Sequence, residues 1–213
     1  MSILSTKIVI VDYGIGNVRS VQKAFEKIGF RALITSDISQ IKQASHIVLP
    51  GVGAFGDAMK NLANLGLIEV LNEEILQNKK PFLGICLGMQ LLATKGYENG
   101  EYKGLGWIEG EIIKLDARGN LKVPHVGWNS VVYKRNSPLF NTVADASDFY
   151  FVHSYHFVTK NTEDILSITN HGENFVSSLS RSNIFGVQFH PEKSQEKGLE
   201  ILQNFTSFEV GIC

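Results

Sequence analysis

Cysteine is scarce in this chain of 213 residues: Cys86 and Cys213 are the only two. That is too few for a disulfide framework, and no Cys-x-x-Cys pair opens a zinc site. Cys213, the last residue, is expected to be mobile. No apolar run approaches the ~20 residues that a membrane-spanning helix needs, and the chain reaches Lys7 and a strand pattern without a signal-like hydrophobic region. The expected location is the cytoplasm, with no membrane partner. Charge of one sign is missing too: 20 Lys and Arg stand against 21 Asp and Glu. Without a basic run, nucleic acid is not an expected partner. With five prolines, no Pro/Ser-rich linker, no internal repeat and no low-complexity run, a single domain over residues 1–213 is the expectation.

What is present is an ordinary globular composition, 44% hydrophobic, in a chain long enough to bury roughly 70% of its unfolded surface. KIVIVD (7–12) reads as a strand, followed by the loop YGIGN and by Val18, Val21, Phe25 and Ile28 at helical spacing up to Gly29. The unit repeats: FRALIT is a strand, DISQIKQ a short helix, and HIVLP a strand ending in PGVGAFG. An amphipathic stretch runs from Asp57 to about Asn78, and PFLGI with LGMQLLATK supplies another strand and helix. This alternation predicts an α/β fold with a mostly parallel central sheet and helices on both faces. After about Gly100 the segments GWIEGEIIKL, GWNSVVYK, DFYFVHSYHFV, ILSITN, FVSSLS and NIFGVQFH are strand-like, and they are expected to extend the sheet with antiparallel strands before a closing helix.

Gly84-Ile85-Cys86-Leu87-Gly88 joins a strand to a helix. With the glycine and cysteine content of this chain, roughly 0.02 such Gly-x-Cys-x-Gly windows arise by chance, so the match is informative. A strand-turn-helix with small flanking residues presents the central side chain at the carboxyl end of the sheet. Cys86 is thus a candidate nucleophile at a helix start, where the free N–H groups favour thiolate, and the Leu87 N–H is placed to face an oxyanion. The plain alternative is a small buried core cysteine.

A thiolate nucleophile needs a base, and the base an orienter. His190 ends the strand IFGVQFH, Pro191 turns the chain, and Glu192 can fold back on the imidazole. Alone, His-Pro-Glu also fits a solvated strand end. The loop Pro50 to Gly56 matches a dinucleotide fingerprint through Gly51, Gly53 and Gly56. That reading wants an acidic residue at the end of the next strand, which ends at Cys86 instead. The loop can otherwise bring backbone close to a substrate, with the Val52 N–H as a second oxyanion donor. His125, His153 and His156 lack the spacing of an open metal site, so neither a metal nor a cofactor is expected.

The segments PGVGAF, GICLGMQ and QFHPEKS together resemble class I (triad) glutamine amidotransferases. DYGIGN, KVPHVGWN and FYFVHSY are similar to the glutaminase subunits of imidazole glycerol phosphate synthases. The resemblance runs from Ile8 to Phe205. It implies Cys86 as nucleophile, His190 as base and Glu192 as orienter, with oxyanion donors from the Val52 and Leu87 backbones. L-Glutamine contacts are implied at Gly53, Gln90, Ser154 and Tyr155. A (β/α)₈-barrel cyclase is the implied partner in a heterodimer, met by Asn17, Pro124, Trp128, Tyr150 and Lys193. HSYH, KVPHVGWN and GLGWI depart from the usual pattern, and GLGWI is similar to a branch that supplies ammonia to another synthase, one amidating surface sugars. A stand-alone cysteine hydrolase and a silent nucleotide-binding module are the other readings.

Overall fold

The computed structural model describes residues 6–116 and 121–209; Cys213 lies outside them. The first half alternates strand and helix: β1 (Ile8–Val11), α1 (Val18–Lys27), β2 (Ala32–Thr35), α2 (Ile38–Gln43), β3 (His46–Gly51), α3 (Phe55–Asn64), α4 (Leu67–Leu71), β4 (Phe82–Cys86) and α5 (Leu87–Gln90). Two short strands follow, β5 (Lys95–Gly96) and β6 (Tyr102–Lys103), then β7 (Gly110–Lys114), β8 (His125–Tyr133), β9 (Ser147–His153), β10 (Tyr155–Thr159), β11 (Ile165–His171), β12 (Glu173–Arg181), β13 (Ile184–Val187) and the closing helix α6 (Gln195–Thr206).

Nine strands form the main sheet in the order β2-β1-β3-β4-β13-β12-β11-β8-β9. The first five run parallel, and from β13 onward the pairings are antiparallel. Every residue of β1, β3, β4 and β13 is buried, as strands covered on both faces must be. Alternation along these strands splits the interior in two. Val9, Val11 and Leu49 face one core with Phe55, Leu62 and Met89, while Ile8, Ile10, Val48 and Ile85 face the other with Phe25, Phe189 and Phe205.

The helix expected over LGMQLLATK is confined to Leu87–Gln90, and three further details depart from the sequence pattern. The stretch from Asp57 to Asn78 is not one helix: it breaks after Asn64, and Gly66, with φ +64°, takes the left-handed turn that starts α4. The DFYFVHSYHFV segment splits at Ser154 into β9 and β10. Finally, β10, β7, β5 and β6 leave the main sheet and pair among themselves as a second, four-stranded sheet.

Candidate active site

The catalytic chemistry predicted from sequence converges at the carboxyl ends of two neighbouring strands. β4 and β13 are parallel partners, with Val187 opposite Ile85 as their last pair. The next residue on one strand is Cys86, and His190 follows three residues beyond the end of the other.

Cys86 adopts φ +54° and ψ −108°, a conformation that costs an L-residue of order 1–3 kcal/mol and recurs at functional sites. The flanking glycines explain how the turn is built. A Cβ on Gly84 would stand 2.5 Å from the Gly88 carbonyl oxygen, and one on Gly88 only 1.7 Å from that of Leu49. With any larger residue α5 could not start so close to β4 and β3. The sulfur is buried, with Sγ 3.7 Å from the Val152 carbonyl oxygen and 3.6 Å from Nε2 of Gln188.

His190 is positioned by its own backbone: its N–H donates to the Tyr150 carbonyl at 2.9 Å, and its carbonyl accepts from Ser194 Oγ at 2.6 Å. Pro191 to Lys193 form a single tight turn that brings Glu192 back onto the ring, Oε1 to Nδ1 at 2.9 Å. This contact assigns a proton to Nδ1 and leaves Nε2 for Cys86. Both side chains are almost entirely buried, at 3% and 1% exposed.

A cavity of about 430 Å³ opens above the sulfur. Val52, Gly53, Leu87, Gln90, Pro124, Ser154, Tyr155, His190 and Lys193 are among the residues that line it. Leu87 is the first residue of α5, so its N–H has no intrahelical acceptor. Gly51 is opposite Cys86 in the β3–β4 register, and a Cβ there would come within 2.3 Å of the Tyr13 hydroxyl and 2.9 Å of Leu87 Cβ. Glycine is needed for that approach. Gly53 sits at φ +104° in the loop that carries Val52 along the cavity. Burial, and then the charge of Cys86, push the Tyr13 phenol upward.

Of the residues assigned to a partner surface, Trp128 and Tyr150 lie opposite each other on β8 and β9 with rings 6.0 Å apart, and the Lys193 ammonium is 5.9 Å from the Tyr150 ring. Asn17 is the residue that precedes α1. Residues of the site that the sequence does not single out include Glu98, which lines the cavity while accepting from the Phe55 N–H at 2.9 Å, Val152, and Gln188.

The family model for glutamine amidotransferase class I matches residues 9–207. The chain belongs to the class I glutamine amidotransferases. It is 50% identical to imidazole glycerol phosphate synthase subunit HisH 1 of Campylobacter jejuni, over 93% of this chain and 98% of that protein. Its identity to subunit HisH of Aquifex aeolicus is 49%, over 92% and 94%. In fold it is similar to the structure of PurLQS from Thermotoga maritima, with a TM-score of 0.73, 19% identity and coverage of 95% and 98%.

The electrostatics of this amidotransferase site favour the protonated ring of His190. Burial alone would push the His190 imidazole down. The charge of the Cys86 sulfur and its hydrogen bond, followed by those of Glu192, outweigh it and raise the ring to about 10. Replacing Glu192 by glutamine keeps a hydrogen bond to Nδ1 but removes the charge that stabilises imidazolium. Steady-state assays should show a lower kcat, with a smaller loss than for His190→Ala. Wild-type kcat in Glu192→Gln at every pH would remove the orienter role.

Beside the site lies a buried histidine group. His125 Nδ1 is 3.0 Å from His153 Nε2, the His125 and His171 rings stack at 4.1 Å, and His153 Nδ1 meets the Tyr155 carbonyl at 2.9 Å. Burial, followed by repulsion from His171, lowers His125 to about 4. Burial also lowers His153, to about 3, against the Tyr155 hydrogen bond and with added repulsion from the neighbouring histidines. Both therefore stay neutral in the fold while an unfolded chain protonates them near 6.5, so their contribution is present above pH 6.5 and is lost as pH falls. His190 has the opposite sign, stabilising below pH 6.5 and losing that effect as pH rises towards 10. Urea melts should show stability dropping by a few kcal/mol between pH 6.5 and 4, with a flatter fall in His125→Asn. A fall of equal size in that variant would contradict the assignment.

Proposed function

We propose that this chain hydrolyses L-glutamine to glutamate and ammonia and hands the ammonia to a partner cyclase that forms imidazole glycerol phosphate in histidine biosynthesis. The observation that carries the reading is the strained Cys86 beside a buried His190–Glu192 pair at the floor of a cavity sized for one amino acid. The relatives named as synthase subunits supply the pathway.

In this mechanism the Cys86 thiolate attacks the side-chain amide carbon of glutamine, and the carbonyl electron pair moves onto oxygen. The Val52 and Leu87 N–H groups stabilise that oxyanion. When the carbonyl re-forms, the C–N bond breaks, and the proton on His190 Nε2 goes to the departing nitrogen, giving ammonia and a γ-glutamyl thioester. Water then adds with its proton passing to His190, and breaking the C–S bond returns the thiolate and releases glutamate. Gly53, Gln90, Ser154 and Tyr155 hold the substrate. Glu98, among the described residues the carboxylate that lines the cavity, takes its α-ammonium.

The partner surface follows from the same wall. On β8 and β9 the paired residues Val126–Val152 and Trp128–Tyr150 share one face, on which Val126 is 57% and Trp128 48% exposed. Val152, Pro124 and Lys193 also line the cavity, so ammonia is released next to this apolar face. We assign it, with Asn17, to the (β/α)₈-barrel cyclase. Residues 1–213 act as one glutaminase domain in this account, without a cofactor.

The test is a reconstitution with candidate cyclase subunits. Glutamine should support imidazole glycerol phosphate formation only when this chain is added, whereas ammonium salts should support it without the chain. No glutamine dependence with a cyclase that uses ammonia would overturn the pathway reading.

A further inference from the structure

Gln188 is a wholly buried amide whose side chain touches the nucleophile, and no step of the mechanism above uses it. It follows β13 directly, and its backbone N–H donates to the Ser177 carbonyl at 2.9 Å, so its Cα is fixed by the sheet. Its side-chain Oε1 accepts from Gln90 Nε2 at 3.0 Å, and its Nε2 points at Cys86 Sγ at 3.6 Å.

The direction of this chain of contacts is determined at its far end. The Tyr155 carbonyl can only accept, so the atom of Gln90 facing it at 2.8 Å is the amide nitrogen. The second hydrogen of that nitrogen goes to Gln188, which makes the contacting atom of Gln188 the oxygen. The Gln188 –NH₂ must then face the sulfur, and the sulfur must accept. On the other side of Sγ, at 3.7 Å, is the Val152 carbonyl, which can only accept. A neutral thiol can satisfy both neighbours, donating to Val152 and accepting from Gln188. A thiolate loses the first contact, while the second becomes charge-assisted.

We propose that Gln188 is a hydrogen-bond donor to the Cys86 sulfur, held in register by Gln90 and the Tyr155 carbonyl, that stabilises the thiolate whenever it is released from the γ-glutamyl thioester. Its effect is therefore largest in the second half-reaction, where the C–S bonding pair returns to sulfur and negative charge grows there. During attack on glutamine the same charge is leaving the sulfur, so the donor gives no advantage to that step. The kinetic part of this proposal rests on the glutaminase reading; the part concerning the sulfur does not.

The experiment uses the complex with the ammonia-accepting partner and Gln188→Met, which keeps side-chain length but has no donor. Loss of a hydrogen bond to a charged group corresponds to roughly ten- to a hundredfold in rate. The expected result is a kcat lower by about that factor, a KM that falls with it, accumulation of γ-glutamyl thioester in quenched samples, and a pH profile of Cys86 alkylation by iodoacetamide displaced to higher pH. A variant with normal alkylation and normal kcat would overturn the proposal. So would a lower kcat with an undisplaced alkylation profile, which is the signature of altered packing. If wild type turns over no glutamine, the function reading fails while the alkylation comparison still decides the contact. If Gln188→Met does not fold, the wild-type chain labelled with ¹⁵N-glutamine gives the answer: one side-chain amide should titrate with the midpoint of Cys86 alkylation. An amide spectrum without such a resonance would rule the donor out.

Discussion

Cys86→Ala should abolish glutamine hydrolysis, with kcat falling by on the order of 10⁶, the loss seen when the nucleophile of a coupled triad is removed. The Cβ remains and only the sulfur is lost from a buried turn, so the stability cost is a core truncation of about 1 kcal/mol and the chain should still melt cooperatively. Alanine keeps the strained backbone as well, since only glycine would relax φ +54°. His190 should respond in a measurable way. Without the sulfur's charge and hydrogen bond, burial is opposed only by Glu192, and the imidazole should titrate well below its wild-type value of about 10. A complex containing Cys86→Ala should use ammonium salts as before. Glutamine-dependent activity near wild type would remove the nucleophile assignment.

The second large effect concerns the loop between β3 and α3. Losing one oxyanion donor costs about 2.7–4 kcal/mol, or 10²–10³ in rate. Val52→Pro deletes the N–H outright, and the activated glutaminase rate should fall by that order while Cys86 alkylation continues. The loop is well suited to coupling. Gly51 is pinned between Tyr13 and Leu87, whereas Val52 is 41% exposed and Gly53 holds a positive φ. A peptide unit between a fixed and a free glycine can turn without disturbing β3. The account therefore predicts slow turnover by the isolated chain and activation by the partner of 10²–10³, the worth of one donor. Full activity of the isolated chain would favour a stand-alone hydrolase.

The residues legible in the sequence are those whose role is set by neighbours a few positions away. Gly84, Cys86 and Gly88 build one turn, and His190, Pro191 and Glu192 another, so local spacing carried their placement. The parallel half of the sheet was readable for the same reason, because strands buried on both faces show as continuous apolar runs. What sequence did not reveal depends on distant contacts. Glu98 reaches the site by capping Phe55, 43 residues earlier, and Gln188 meets Cys86 across 102 residues. Gln188 stands in the apolar run IFGVQFH, but nothing local to it names the sulfur as its partner, and Glu98 stands among polar residues like any surface carboxylate. The histidine contacts were not legible either, because residue type alone does not show which rings will meet. His125 and His153 come together only because β8 pairs with β9. The departure of β7 and β10 into a second sheet was hidden likewise, since the break at Ser154 falls inside a continuous strand-like run.

The account stands on a covalent bond between Cys86 and the side-chain carbon of glutamine. A glutamine analogue carrying a diazoketone in place of the carboxamide offers an electrophilic carbon at that position, and peptide mass spectrometry reads where it is captured. The account predicts one equivalent of label on the peptide containing Cys86, protection by L-glutamine, and loss of labelling in His190→Ala. Labelling at another residue, or no labelling of a folded chain in complex with its partner, would contradict it.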